Sequence, residues 1–243
     1  MNTIKLPKLR KIESKPKVIK EGYIPRNQRK KILLLSDDIR TQSGIGTMAR
    51  EIVLNTCHHY NWVILGGAVK HPDKGKAFDL SADCNKETGI LDSYVKIVPV
   101  DGYGNPTILR GVLEQEKPDA ILHFTDPRYW VWLYQMENEI RQKIPMIFYT
   151  IWDDVPYPMY NREFYRSDDM LLCISKQTKN IVKNVLKDEE FDFTVLWNSR
   201  NIRRKNAPDI ILAWRTFLDH YQKLIRKLKI GLQEIDGSDK IEL

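Results

Sequence analysis

Cysteine is scarce: Cys57, Cys84 and Cys173 are the three in 243 residues, and no two have Cys-x-x-Cys spacing. That pattern excludes a disulfide framework and offers no zinc ribbon. It fits a reducing compartment, so a cytoplasmic location is expected. No apolar run approaches the roughly 20 residues that span a bilayer, which argues against an integral membrane protein. The start, MNTIKLPKLRKIESKPK, is basic with no apolar stretch behind it, so no secretory leader is expected. Internal repeats and low-complexity segments are absent. What remains, 42% hydrophobic and 29% charged, is the composition of a globular chain long enough to bury a core.

Charge is distributed unevenly. Residues 1–31 hold eleven Lys and Arg against Glu13 and Glu21, and they account for the chain's whole formal excess of +7. Residues 1–30 are read as a basic, poorly ordered arm. Its charge suits weak contact with an anionic membrane surface or another polyanion. Apart from Tyr23 it has no aromatic residue, so base stacking on nucleic acid has little support.

From Lys31 onward, apolar strands alternate with helices. Strands are expected at 31–37, 61–68, 94–100, 119–124, 145–152 and 170–175. Helices are expected from Gly44–Thr47 to about Tyr60, over ILRGVLEQE, over 128–142 and over 176–186. Residues 70–93 read as polar and irregular, and DGYGNP (101–106) as a turn cluster. Strands apolar on both faces and separated by helices indicate an α/β, doubly wound parallel (Rossmann-like) sheet over residues 31–190. Ligands of such sheets bind beyond the carboxyl ends of the strands.

The pattern restarts at FDFTVLW (191–197), passes through the basic loop NSRNIRRKN and continues as a helix. Ile210, Ile211, Trp214, Phe217, Leu218, Tyr221, Leu224, Ile225 and Leu228 form its apolar stripe. Such a helix either lies on a membrane or opens a second domain. The second reading makes residues 191–243 the beginning of an incomplete domain, one strand and one helix that cannot form a sheet alone.

Three groups of residues suit chemistry. Ser43-Gly44-Ile-Gly46-Thr-Met-Ala49 contains a G-x-G-x-x-A pattern at a helix start. Seven residues separate it from the strand, and no acid follows the second strand, so a nicotinamide or flavin site is disfavoured. What survives is a flexible glycine loop whose N–H groups suit a phosphate or sugar hydroxyl, or else glycines that merely allow close packing. His123-Phe-Thr-Asp126-Pro and Trp152-Asp153-Asp154 follow the fourth and fifth strands. Asp153 and Asp126 are the candidate catalytic carboxylates, although Asp126-Pro127 also reads as a helix cap and His123 as a core histidine. Arg200, Arg203, Arg204 and Lys205 form a loop suited to a diphosphate.

In order and spacing these segments resemble the retaining, nucleotide-sugar-dependent glycosyltransferases of GT-B fold. The resemblance runs through SDDIRTQSGIGTMARE (36–51), DAILHFTDP (119–127), PMIFYTIWDD (145–154), DMLLCISKQT (169–178) and LWNSRNIRRK (196–205). It implies an acceptor-side domain whose Ser43, Gly44 and Gly46 loop lies near the donor phosphates. It also implies Asp153, with Asp126, beside the reacting sugar, and Arg200 with Lys205 on the donor diphosphate. The implied substrates are a nucleoside-diphosphate sugar and an acceptor, with no metal and no further cofactor. The bridging Pro-(Asn/His)-Gly segment of that family does not appear. Glu234 and Glu242 have its E-x7-E spacing without the glycine-rich context. The chain therefore reads as a shortened member, or as one completed by a partner chain that supplies the donor domain. Two competing readings stay open beside it: a non-catalytic binding subunit and a basic nucleic-acid-associated factor.

Overall fold

The computed structural model describes residues 21–187 apart from 71 and 73. The expected second domain at 191–243, with Arg200 and Lys205, lies outside the described residues, as do residues 1–20 of the arm.

A seven-stranded sheet organises the described chain. In chain order its strands are β1 (Lys30–Asp37), β2 (Tyr60–Val69), β3 (Phe78–Asp79), β4 (Val95–Asp101), β5 (Ala120–Phe124), β6 (Met146–Thr150) and β7 (Met170–Cys173). They lie in the order β3-β4-β2-β1-β5-β6-β7. The two-residue β3 is antiparallel to β4, and every other neighbouring pair is parallel. Without β3, the parallel strands run in the order 3-2-1-4-5-6 of a Rossmann-like sheet.

Both faces of the sheet are covered, which is why its central strands carry continuous apolar runs such as Ile32–Leu35 rather than alternating ones. On β1, Ile32 and Leu34 face a core built with Ala49, Ile52 and Val53 of helix α1 (Gly44–Thr56) and Cys84 of α2 (Ser81–Thr88). Leu33 and Leu35 face the opposite core. That side receives Leu109 and Val112 of α3 (Pro106–Glu116), Leu133 of α4 (Val131–Tyr134) and Ile140 of α5 (Glu137–Arg141). Beyond it, Tyr165 of α6 (Arg162–Arg166) and Ile181, Val182 and Val185 of α7 (Lys176–Val185) pack on Phe148 and Cys173.

Two expectations need correction. The segment 70–93 is not wholly irregular, because it contains β3 and α2. Little of α2 is apolar and Cys84 is its one buried residue, so it carries no periodic signal. The helix is instead delimited by polar devices: Asp79 accepts from the Ser81 N–H at 2.8 Å, and Gly89, at φ 76°, ends it. The continuous helix expected over 128–142 is broken into a 3-10 turn (Pro127–Trp130), α4 and α5. Trp130, Leu133, Tyr134 and Met136 are all buried, so the interrupted segment still presents an apolar face to the sheet.

The end of the basic arm belongs to this fold. Arg29 is buried and donates to the Ile24 carbonyl (2.6 Å), the Asp92 carbonyl (2.9 Å) and the Asp92 carboxylate (2.6 Å). Lys30 pairs with Asp119 at 2.8 Å and Lys31 with Glu116 at 3.0 Å. These cations are tied to the amino-terminal edge of the sheet rather than offered to a polyanion. Arg29→Ala removes the guanidinium from Asp92 Oδ1 and from two carbonyls, leaving Asp92 only the Tyr23 hydroxyl and the Arg26 N–H, and should cost about 2–3 kcal/mol in denaturant unfolding. Arg29→Lys should recover less than half of that, because an ammonium cannot reproduce the three-way fork.

Candidate functional site

The order of the strands makes a crevice. Chain connections leave β1 towards β2 on one side, while β5 lies on the other, so the loops beyond β1 and β5 diverge around a gap at their carboxyl ends. Ser36 and Phe124 are partners in the register, and the Ser36 hydroxyl donates to the Phe124 carbonyl at 2.6 Å. One residue further on, the buried Asp37 carboxylate bridges the gap. It accepts from Ser43 Oγ at 2.9 Å on the β1 side and from Thr125 Oγ1 at 3.3 Å on the β5 side.

The glycine loop is therefore built, not flexible. Ser43 caps α1 by accepting from the Gly46 N–H at 2.9 Å. Asp38 is buried, and its carboxylate is held by Arg40 through Nε at 2.9 Å and Nη2 at 2.6 Å. The Asp38 carbonyl accepts from the Thr41 hydroxyl at 2.7 Å. A Cβ at Gly46 would collide with Thr41 and come within 2.8 Å of the Asp38 carbonyl, so Gly46 is a packing glycine. Gly44 differs: it is exposed, with no atom within 4 Å of an added Cβ. Of the two glycines, Gly44 is the one that faces outward.

Across the gap, Asp126 caps the 3-10 turn as the Asp-Pro pair implies, accepting from the Arg128 N–H at 3.0 Å. The Arg128 guanidinium also grips it, through Nε at 2.9 Å and Nη2 at 2.5 Å. Burial would raise the Asp126 pKa, but these bonds from Arg128 outweigh it and hold the carboxylate below its ordinary range. The guanidinium in turn lies 6.0 Å from the ring centre of Trp152 and 5.7 Å from that of Tyr160. The residues after β5 and those after β6 are thus drawn into one group. Asp153 stands beside Trp152 with its side chain exposed, while its carbonyl accepts from Gln177 at 2.6 Å.

His123 takes no part in this surface. It is fully buried opposite Leu35 in the register, with its ring stacked on Phe148 (4.9 Å between centroids) and edge-on to Trp130. Its Nδ1 is bonded to the Tyr134 hydroxyl at 2.7 Å. Burial pushes its pKa down to about 3, opposed only weakly by Asp126, so it is neutral at physiological pH and serves as a core residue.

Sequence reasoning missed Asp37, Thr125, Arg128, Tyr103 and Tyr160. Tyr103 lies between Gly102 (φ 57°) and Gly104 (φ 77°), whose left-handed conformations fold its loop back over the end of β2. There Gly67 is essential, since an added Cβ would sit 2.6 Å from the Gly102 carbonyl. The Gly-Gly pair was the available signal for that close approach. Burial, followed by the Asp37 carboxylate, raises the Tyr103 pKa.

Among the described residues no group of three or more His, Cys, Asp or Glu is placed to hold a metal, and no helix is long and apolar enough to cross a membrane. Models of known protein families do not match this chain, and no curated protein matches it. The arrangement itself is a cleft of hydroxyls, carboxylates and aromatic faces at a topological switch point.

Asp37→Ala strips partners from Ser43 and Thr125 together, and should cost about 2–3 kcal/mol in urea unfolding. The pH dependence of stability follows from His123. Its folded pKa lies below the ordinary 6.5, so as pH falls from about 6.5 towards 3 the unfolded chain binds a proton that the folded chain refuses. Stability should decline over that window in the wild type. In His123→Phe, which also loses the bond to Tyr134, the decline measured by thermal unfolding should be shallower by a few kcal/mol.

Proposed function

We propose that the chain is a GT-B-type glycosyltransferase that moves a sugar from a nucleoside-diphosphate sugar to an acceptor, with retention and without a metal. The observation that carries this reading is the crevice between β1 and β5, where the Ser43–Gly44 loop and the Asp126–Arg128–Trp152 group meet beyond the strand ends. Hydroxyls and carboxylates there suit a polyhydroxylated substrate. Asp153, exposed at this edge beside Asp154, is the residue proposed for proton transfer or for stabilising positive charge on the reacting sugar. Asp126 has both oxygens committed to Arg128, so its part is to fix that guanidinium.

The charge balance also bears on where the donor goes. The two cations of the crevice, Arg40 and Arg128, are each neutralised by an aspartate. A diphosphate therefore needs cations from elsewhere in the chain. Arg200 and Lys205, outside the described residues, are the residues proposed for it, stabilising the leaving group as a metal would. The acceptor then falls to the described domain.

The test is a thermal-shift screen of the full chain against UDP, GDP, ADP and their sugar conjugates. One nucleotide class should raise the midpoint by about 5–10 °C at a hundredfold excess over its dissociation constant. Arg200→Ala and Lys205→Ala should abolish the shift. Asp153→Asn should keep it while losing on the order of a hundredfold or more in transfer rate. No shift with any of these compounds would overturn the reading.

A further inference from the structure

The carboxyl edge carries an aromatic surface that the fold does not bury. Tyr129 is 58% exposed and stacks at 4.9 Å, nearly coplanar at 9°, on Tyr103, whose own ring is backed edge-on by the buried Trp130. One face of Tyr129 is thus supported and the ring is left outward. Nearby, Tyr160, 54% exposed, stands at 82° to Trp152 with centroids 5.8 Å apart, and Arg128 spans both rings. Exposed large apolar side chains normally occur singly, and a cluster of them marks a binding surface.

The chemistry around these rings selects the ligand. Two exposed carboxylates adjoin them, Asp153 and Asp154 directly after Trp152, while the half-buried Asp126 holds Arg128. This acidic rim repels anionic lipid and nucleic acid, and the one guanidinium among the rings is already neutralised. A protein partner favours an interface whose centre is depleted of charge, which these adjoining carboxylates are not. A neutral ring with an apolar C–H face and equatorial hydroxyls meets both features, its face on a tyrosine and its hydroxyls on the carboxylates and the guanidinium.

We propose that Tyr129 with Tyr103, and Trp152 with Tyr160, form a platform that binds pyranose rings of a neutral oligosaccharide acceptor. The proposal rests on the glycosyltransferase reading for the word acceptor, and on the platform alone for the saccharide. The oligosaccharide approaches the Asp153 side of the crevice, and the rings orient it while the donor is held elsewhere.

The experiment applies the full-length chain to an array of neutral and charged glycans, followed by isothermal titration with the neutral oligosaccharides retained. At least one should bind. Tyr129→Ala and Tyr160→Ala should each weaken it about tenfold, Tyr129→Phe should keep it, and Leu91→Ala, at an exposed apolar position elsewhere, should have no effect. Far-UV circular dichroism and the unfolding midpoint show whether each variant is folded. Binding to no glycan, or binding that both alanine variants leave unchanged, overturns the proposal. So does binding to phosphatidylserine vesicles or single-stranded DNA that Tyr129→Ala abolishes while no glycan is retained. A nucleotide-induced thermal shift without any glycan binding sinks the platform and leaves the transferase reading standing. Glycan binding lost in the variants, with no nucleotide shift, does the reverse.

Discussion

The crevice depends on one buried carboxylate. Asp37 sits at the last position of β1, where the strand runs out of backbone partners, and accepts hydroxyl hydrogens from Ser43 and Thr125. Burying a carboxylate costs several kcal/mol unless hydrogen bonds and favourable dipoles meet it. Two hydroxyls do so here, one of them on the residue that caps α1, so the positive end of a helix dipole lies one side chain away. Because the loops after β1 and β5 hang from the same side chain, neither can shift without breaking a bond inside the protein.

The same region departs from the dinucleotide-binding pattern that a sheet of Rossmann-like order can carry. In a dinucleotide-binding unit the tight first turn leaves its glycine N–H groups open and an acid after the second strand meets a ribose. Here the first turn is occupied by its own Asp38, Arg40 and Thr41 contacts, and Gly46 is filled by that loop. At the end of the second strand, the Ala68 N–H donates to the Gly102 carbonyl at 2.6 Å, and Tyr103 packs against Gly67. The glycines Gly66 and Gly67 permit this close backbone approach: an added Cβ at Gly66 would meet the Asp38 Cα at 3.1 Å. The G-x-G-x-x-A pattern thus marks a packing solution, with Gly44 alone left facing outward.

The parts of this fold that were legible in the sequence are those governed by local pattern. The doubly buried strands stand out because alternate residues on each feed opposite cores, and Asp126-Pro127 announces the turn start by its capping chemistry. What was not legible depends on contacts distant along the chain. Asp37 is 88 residues from Thr125, and nothing near it distinguishes a bridging carboxylate from a solvated strand end. Arg128 lies two residues from Asp126, which reads as a surface pair, and its position over Trp152 and Tyr160 emerges only when β5 and β6 are adjacent. Helix α2 escaped because its ends are set by Asp79 and Gly89 rather than by an apolar stripe.

Charge placement links these observations to function. At the amino-terminal edge of the sheet the cations of the arm are spent on structure: Arg29 on Asp92, Lys30 on Asp119, Lys31 on Glu116. At the carboxyl edge Arg40 and Arg128 are bound to aspartates, while Asp37 and Asp153 carry no cation among the described residues. In this balance the guanidinium groups of Arg40 and Arg128 are already neutralised, while the Asp153 carboxylate is exposed. If the chain handles a nucleotide sugar, the anionic half of that molecule must be held by residues beyond this domain. On the proposed reading, the pairing of Arg40 and Arg128 with aspartates is what assigns the charged donor to other residues of the chain.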